Sequence, residues 1–278
     1  ISNLTFTSTN WTSEQTVTVT GVDDSVVDDD VNYNIVFGPS NSSESHYNGL
    51  KVNDIKMINI DNDFDYSLKF NGTNNWIDFE KSGPTGSSPI SYSFWAKTGE
   101  NYSMNILSQA CPSDCGTDVH LKFSTGQLNV EGLSFKNSNH FATAPFYLSD
   151  NEWHHFVFVF GDNSNFTYSN IKFYADGNEI TATGHNWGGF GYDVQPYPLT
   201  IGKVASMGNY FKGELDDIAI WQKSLTAEEV LNVMNNGVNS VTDQLVHYWN
   251  FNSGNGNTVE DQIGTNNGSI TGASWTIR

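Results

Sequence analysis

The sequence predicts an all-β protein, an antiparallel sandwich with one short helix. Three observations carry that expectation. Only 15% of the 278 residues are charged while 14% are aromatic, and Gly, Asn, Ser and Thr are abundant, a mixture that suits many short strands and turns rather than helical bundles. Several segments alternate with period two, among them Gln15 to Thr20 and NEWHHFVFVFGD. An Asp-Gly pair in KFYADGNEI marks a tight hairpin turn.

The first segment, residues 1–63, reads as strand, acidic loop, strand, loop, strand. QTVTVT is β-branched at most positions and predicts a strand. Asp23, Asp24, Asp28, Asp29 and Asp30 crowd the turn that follows, and a strand from Asp54 to Ile60 ends in Asp61-Asn62-Asp63. LTFTSTNWTSEQTVTVTGVDD, HYNGL and the closing DND together resemble the C-terminal half of Calx-β-type repeats of large bacterial surface proteins. The first half of that repeat, with its early acidic strand, has no counterpart here.

The second segment opens near Phe64. DYSLKFNGTNNWIDF gives a strand, a Gly/Asn turn and a second strand; SYSFWAKTGE alternates, and LTIGKV and GELDDIAIWQ supply later strands. Thr226 is placed to cap a helix, with Glu229 three residues on to complete a capping box. From about residue 65 to 237 the order of these pieces resembles the laminin-G-like, concanavalin A-like jelly roll. The last stretch, residues 244–278, contains LVHYWNFNSGNGNTVEDQIG and resembles the opening strands of the same family, displaced to a position after the closing helix. It either completes this sandwich in permuted order or begins another repeat. Completion is favoured, because isolated strands carrying Trp249, Phe251 and Trp275 would expose apolar surface and an open edge. The expected organisation is a Calx-β-like β-sandwich fragment over 1–63 and a laminin-G-like jelly roll over 64–278.

Charge narrows the partners. Twelve Lys plus Arg against 31 Asp plus Glu give a net charge of −19, which repels phosphate backbones and anionic lipid, so neither nucleic acid nor membrane insertion is expected. No run of 18 apolar residues is present. The chain begins at Ile1 rather than Met and reads as a piece of a longer polypeptide whose neighbouring domains are its nearest partners. Cys111 and Cys115, in QACPSDCGTD, are read as a disulfide pinning a loop in an oxidising compartment, with two free thiols as the alternative. Sequons stand at Asn3, Asn10, Asn41, Asn71, Asn101, Asn165 and Asn267.

Catalysis is not expected. A retaining glycosidase needs two carboxylates about 5 Å apart, and the alternating Glu-x-Asp-x-Glu strand that would provide them does not occur. Strand alternation sends His154 and His155 to opposite faces, so they cannot share one ion. Calcium is the expected cofactor. Asp216 shares parity with Ile218 and Ile220, which places its carboxylate toward the core, where it needs a cation or several hydrogen bonds; Asp217 has the solvent parity. The jelly-roll resemblance implies a structural calcium at Asp216, joined by an acid such as Asp261. Asp23, Asp24, Asp28, Asp30, Asp61 and Asp63 form further candidate calcium ligands, with a solvated acidic turn as the alternative.

Ligand recognition is expected in the loop HNWGGFGYDVQPYP. Trp187, Phe190, Tyr192 and Tyr197 offer faces for sugar rings, and Asn186, Asp193 and Gln195 offer hydrogen bonds to hydroxyls. The same aromatics would serve equally as a small cluster packed on the sandwich. The reading is an extracellular or cell-surface carbohydrate-binding or adhesion module, lectin-like and calcium-stabilised, that engages a glycan or a cell-surface protein. A structural spacer of a surface fibre, or a non-catalytic appendage of a glycoside hydrolase, is the alternative.

Overall fold

The structure, a computed structural model, describes residues 3–22, 31–59, 64–111, 119–124, 127–131, 141–146, 150–161, 170–181, 183–185, 193–204 and 208–278. It divides into two compact units, residues 1–64 and 65–278. In the first, β1 (Val31–Ile35) pairs antiparallel with β2 (Ile55–Asn59). Residues 15–20, expected as a strand, are not one, and Val17 and Val19 are exposed. A β-branched alternating run becomes a strand only where a partner accepts its hydrogen bonds and covers one face.

The second unit runs through β3 (Tyr66–Asn71), β4 (Trp76–Phe79), β5 (Ile90–Lys97), β6 (Met104–Gln109), β7 (Val119–Ser124), β8 (Gln127–Glu131) and β9 (Phe141–Pro145). It continues with β10 (Trp153–Phe160), β11 (Ile171–Ala175), β12 (Asn178–Ile180), β13 (Thr183–His185), β14 (Leu199–Ile201), β15 (Lys212–Trp221) and helix α1 (Ala227–Asn236). It closes with β16 (Leu245–Trp249), β17 (Thr258–Val259), β18 (Gly268–Thr271) and β19 (Ser274–Ile277). Two antiparallel sheets result. One runs β12-β11-β10-β5-β15-β3-β19 with β16 also on β15; the other runs β13-β9-β8-β7-β6-β14-β4-β18-β17.

Residues 244–278 therefore feed both layers. β16 and β19 join the first sheet, on β15 and β3, and β18 joins the second on β4. Trp249 is fully buried and donates its indole N–H to the Asn266 carbonyl, and the Asn266 side chain in turn accepts from the Lys81 amide. The inner faces of the two sheets enclose the main core, with Leu68, Phe94, Phe156, Phe158 and Ile220 from one and Ile77, Leu107, Leu121 and Ile201 from the other.

A second apolar cluster lies on the outer face of the first sheet. Val157, Val159, Ala219 and Trp221 pack there against Leu225, Val230 and Val233, the last two on α1. The helix starts where its local chemistry directs. The Thr226 side chain accepts from the Glu229 amide, and the Glu229 carboxylate accepts from the Thr226 amide. Beyond this cluster the outer face also carries charged side chains, among them Glu214, Asp216 and Lys97, alongside Trp95 and Trp153.

Candidate functional site

That polar region begins at a break in β15. Asp216 lies opposite Trp95 on β5 while Ala219 lies opposite Ser93, so Asp217 and Ile218 together face Phe94. This is a β-bulge, with Asp217 at φ 48°. The bulge corrects the expected facing of the aspartates. Leu215 and Ile218 both enter the core, which an unbroken strand forbids at that spacing. Asp216 consequently shares the outer face with Trp95, not the core face with Ile218 and Ile220.

Asp216 is wholly buried there, and its cation comes from the chain itself. Arg278 Nη1 lies 2.8 Å from Asp216 Oδ2, and 3.6 Å from carboxylate oxygens of Asp65 and Asp217. The guanidinium also lies over the rings of Trp95 and Trp153, at 4.5 and 4.7 Å. Asp217, expected in solvent, accepts a 2.6 Å hydrogen bond from Tyr248 Oη and is 23% exposed at its side chain. Burial, together with the neighbouring Asp217 charge, raises the Asp216 carboxyl well above its ordinary value, and Arg278 offsets only part of this. Burial also raises Asp217 and Asp65.

Asp261 is held separately and oppositely. Its carboxylate accepts from the amides of Tyr248, Ile263, Gly264 and Asn266 and from His247 Nδ1 at 2.6 Å. Burial alone would raise this carboxyl; His247 and the amides outweigh it and hold it at about 2. Among the described residues Asp216 and Asp261 have no hydrogen-bonding partner in common, and each carboxylate already has its donors. This donor set does not fit one calcium shared between them. The acidic residues Asp23, Asp24, Asp28, Asp30, Asp61 and Asp63 lie outside the described residues.

The two histidines of β10 fall on opposite faces. His154 Nδ1 meets Asp176 at 2.7 Å and Nε2 meets Asp150 at 3.0 Å. Burial works against its protonation, but the two carboxylates prevail and raise its pKa. His155, 1% exposed, bonds Ser93 through Nε2 and packs on Trp95; burial pushes its pKa down to about 4.

Of the loop expected to take a ligand, Asn186, Trp187, Phe190 and Tyr192 lie outside the described residues. Asp193 and Gln195 are described and bond one another: Gln195 Nε2 donates to the Asp193 carbonyl and carboxylate at 3.1 Å each. The Gln195 carbonyl accepts from Gln109 Nε2, which ties this end of the loop to β6. Tyr197 is half-buried just beyond. Cys111 is buried, and Cys115 lies outside the described residues.

A groove of about 590 Å³ opens beside the Arg278 centre, and sequence reasoning did not find it. Its floor comes from strand register. Ser274, Lys69, Glu214, Lys97 and Trp153 stand opposite one another across β19, β3, β15, β5 and β10, hence on one face. The first four of these line the groove, as do Lys212 and Glu100. Gly213, at φ 145°, lets β15 approach β5 so closely that a Cβ there would lie 2.3 Å from the Lys97 carbonyl oxygen. Tyr102, 41% exposed, has its hydroxyl beside Gly72.

A family model described as the concanavalin A-like lectin/glucanases superfamily matches residues 71–231. The chain belongs to that superfamily. Within the concanavalin A-like fold, solved structures are similar at low identity. A protein from Bacteroides ovatus ATCC 8483 whose name proposes carbohydrate binding is 17% identical, with a TM-score of 0.57 over 89% of this chain and 69% of its own. A heptameric SAP-like pentraxin from Limulus polyphemus is 21% identical, covering 63% of this chain and 84% of its own, with a TM-score of 0.48. A Ruminococcus gnavus sialidase CBM40 bound to α2,3-sialyllactose is 14% identical, covering 54% and 84%, with a TM-score of 0.43. No curated protein matches the sequence. The family match and the likeness to the Bacteroides ovatus protein establish the concanavalin A-like fold, and at that identity the likeness shows the fold alone. The family match begins at residue 71, and the Calx-β resemblance of the first segment remains an expectation from its sequence.

Proposed function

We propose that the chain is a carbohydrate-binding or adhesion module of a larger extracellular protein, and that it binds saccharide in the groove across β3, β5 and β15. The observation that carries this reading is the groove itself. Ammonium, carboxylate, amide and hydroxyl groups line about 590 Å³ over the sheet, a volume within the range of small-ligand sites. The exposed ring of Tyr102 nearby offers a face for a sugar. Membership of a lectin and glucanase superfamily, and the carbohydrate binding proposed for the Bacteroides ovatus protein, agree with it.

The reading is binding without turnover. The two acids of the groove each pair with a lysine, Glu214 with Lys69 at 3.8 Å and Glu100 with Lys212. Calcium is proposed for the acidic runs at Asp23, Asp24, Asp28, Asp30, Asp61 and Asp63 rather than for Asp216 and Asp261. The loop from Asn186 to Tyr197 is proposed as a second contact surface. A glycan array probed with calcium and with chelator tests all three. Retention of defined glycans that is lost on Lys97→Ala or Glu214→Ala supports the groove; no retention in either condition removes the reading and leaves a structural spacer.

A further inference from the structure

Resting on the saccharide reading, we infer that the groove selects an acidic sugar, one whose carboxylate pairs with Lys97. The argument is one of local charge against global charge. The chain carries 31 acidic and 12 basic residues, yet three of the basic ones line this single groove with only two carboxylates among them. The register sets the imbalance. Glu214 stands between Lys69 on one side and Lys97 on the other. Its carboxylate pairs with Lys69 at 3.8 Å, and Glu100 takes Lys212.

Lys97 is thereby left with no ion pair and no side-chain hydrogen bond among the described residues. It is half-buried at the end of β5, where the stem lies against the sheet and no carboxylate of the described residues comes within ion-pair distance of its ammonium. Asn151, held at φ 64°, lines the same groove. A sugar carboxylate would meet the Lys97 ammonium as a point charge. The ring hydroxyls would find Ser274 and Glu214. Polyanions are repelled by the −19 surface as a whole, so the groove favours a saccharide with an isolated carboxylate over a densely charged chain.

The test is an array, then titration calorimetry, with uronate- and sialate-bearing oligosaccharides, each paired with its carboxyl-reduced counterpart. Wild type, Lys97→Gln and Lys97→Arg are compared, with melting temperature recorded for each. The expected result is retention of acidic members, at least tenfold weaker binding of the reduced partners and of Lys97→Gln, and substantial recovery in Lys97→Arg. Equal binding of acidic and reduced partners, or an unaffected Lys97→Gln, overturns the inference and leaves saccharide binding standing. Retention of no saccharide at all overturns both.

Discussion

Arg278 Nη1 sits 2.8 Å from Asp216 Oδ2, and the carboxylate it meets has no exposure to solvent. The pair neutralises a charge that the bulge in β15 has placed on the outer face of the sheet. A buried carboxylate that loses its cation is costly, because the charge stays desolvated after its partner is gone.

Replacing Arg278 by Met should therefore lower stability by about 3 kcal/mol or more, read by urea denaturation at neutral pH. The double change Arg278→Met with Asp216→Asn should recover a good part of that loss. A single change that costs nothing would show that the pair does not carry the outer face.

The adjacent histidines should titrate in opposite directions. His155, with its folded pKa near 4 against an ordinary 6.5, contributes stability that is present above pH 6.5 and lost as pH falls through 4. His154 is raised, so its contribution is present below 6.5 and lost as pH rises through its folded value. Proton NMR of the two imidazoles should resolve the two directions, and His154→Gln should weaken the fold more at pH 5.5 than at pH 8.

Asp261 should govern acid stability. Its folded pKa of about 2 lies below its ordinary 3.8, so its contribution is present above about pH 4 and lost as pH falls through 2. The difference corresponds to roughly 2 kcal/mol. Asp261→Asn should be less stable than the parent at pH 7, with the gap closing by pH 2 in thermal melts.

Gly213→Ala should destabilise the sheet. Both the 2.3 Å approach to the Lys97 carbonyl and the φ of 145° oppose a Cβ. The expected cost is about 2 kcal/mol, and the two strands that floor the groove would have to part. Thermal unfolding checks the first effect, and loss of glycan retention checks the second.

Part of this molecule is legible from its sequence. The capping box of Thr226 and Glu229 is found where the spacing predicts it, because both partners lie within one helical turn. The alternation of WHHFVFVF places His154 and His155 on opposite faces of β10 as read, because β10 pairs with β5 without a register break. The same logic fails on GELDDIAIW. Its parity holds as far as Asp216 and is reset by a bulge, which the strand adopts so that Leu215 and Ile218 can both reach the core. The TVTVT run fails for the complementary reason: its pattern is that of a strand, but no described strand pairs with it.

By itself the sequence determined the all-β class, the turns and the helix cap, since each depends on neighbours a few residues away. Tertiary structure alone decided the charge chemistry. Arg278 reaches Asp216 across 62 positions, and the groove takes its lining from strands and loops spread from Lys69 to Ser274. Which carboxylate neutralises which ammonium is set by cross-strand register and by one bulge, and neither is encoded in local spacing.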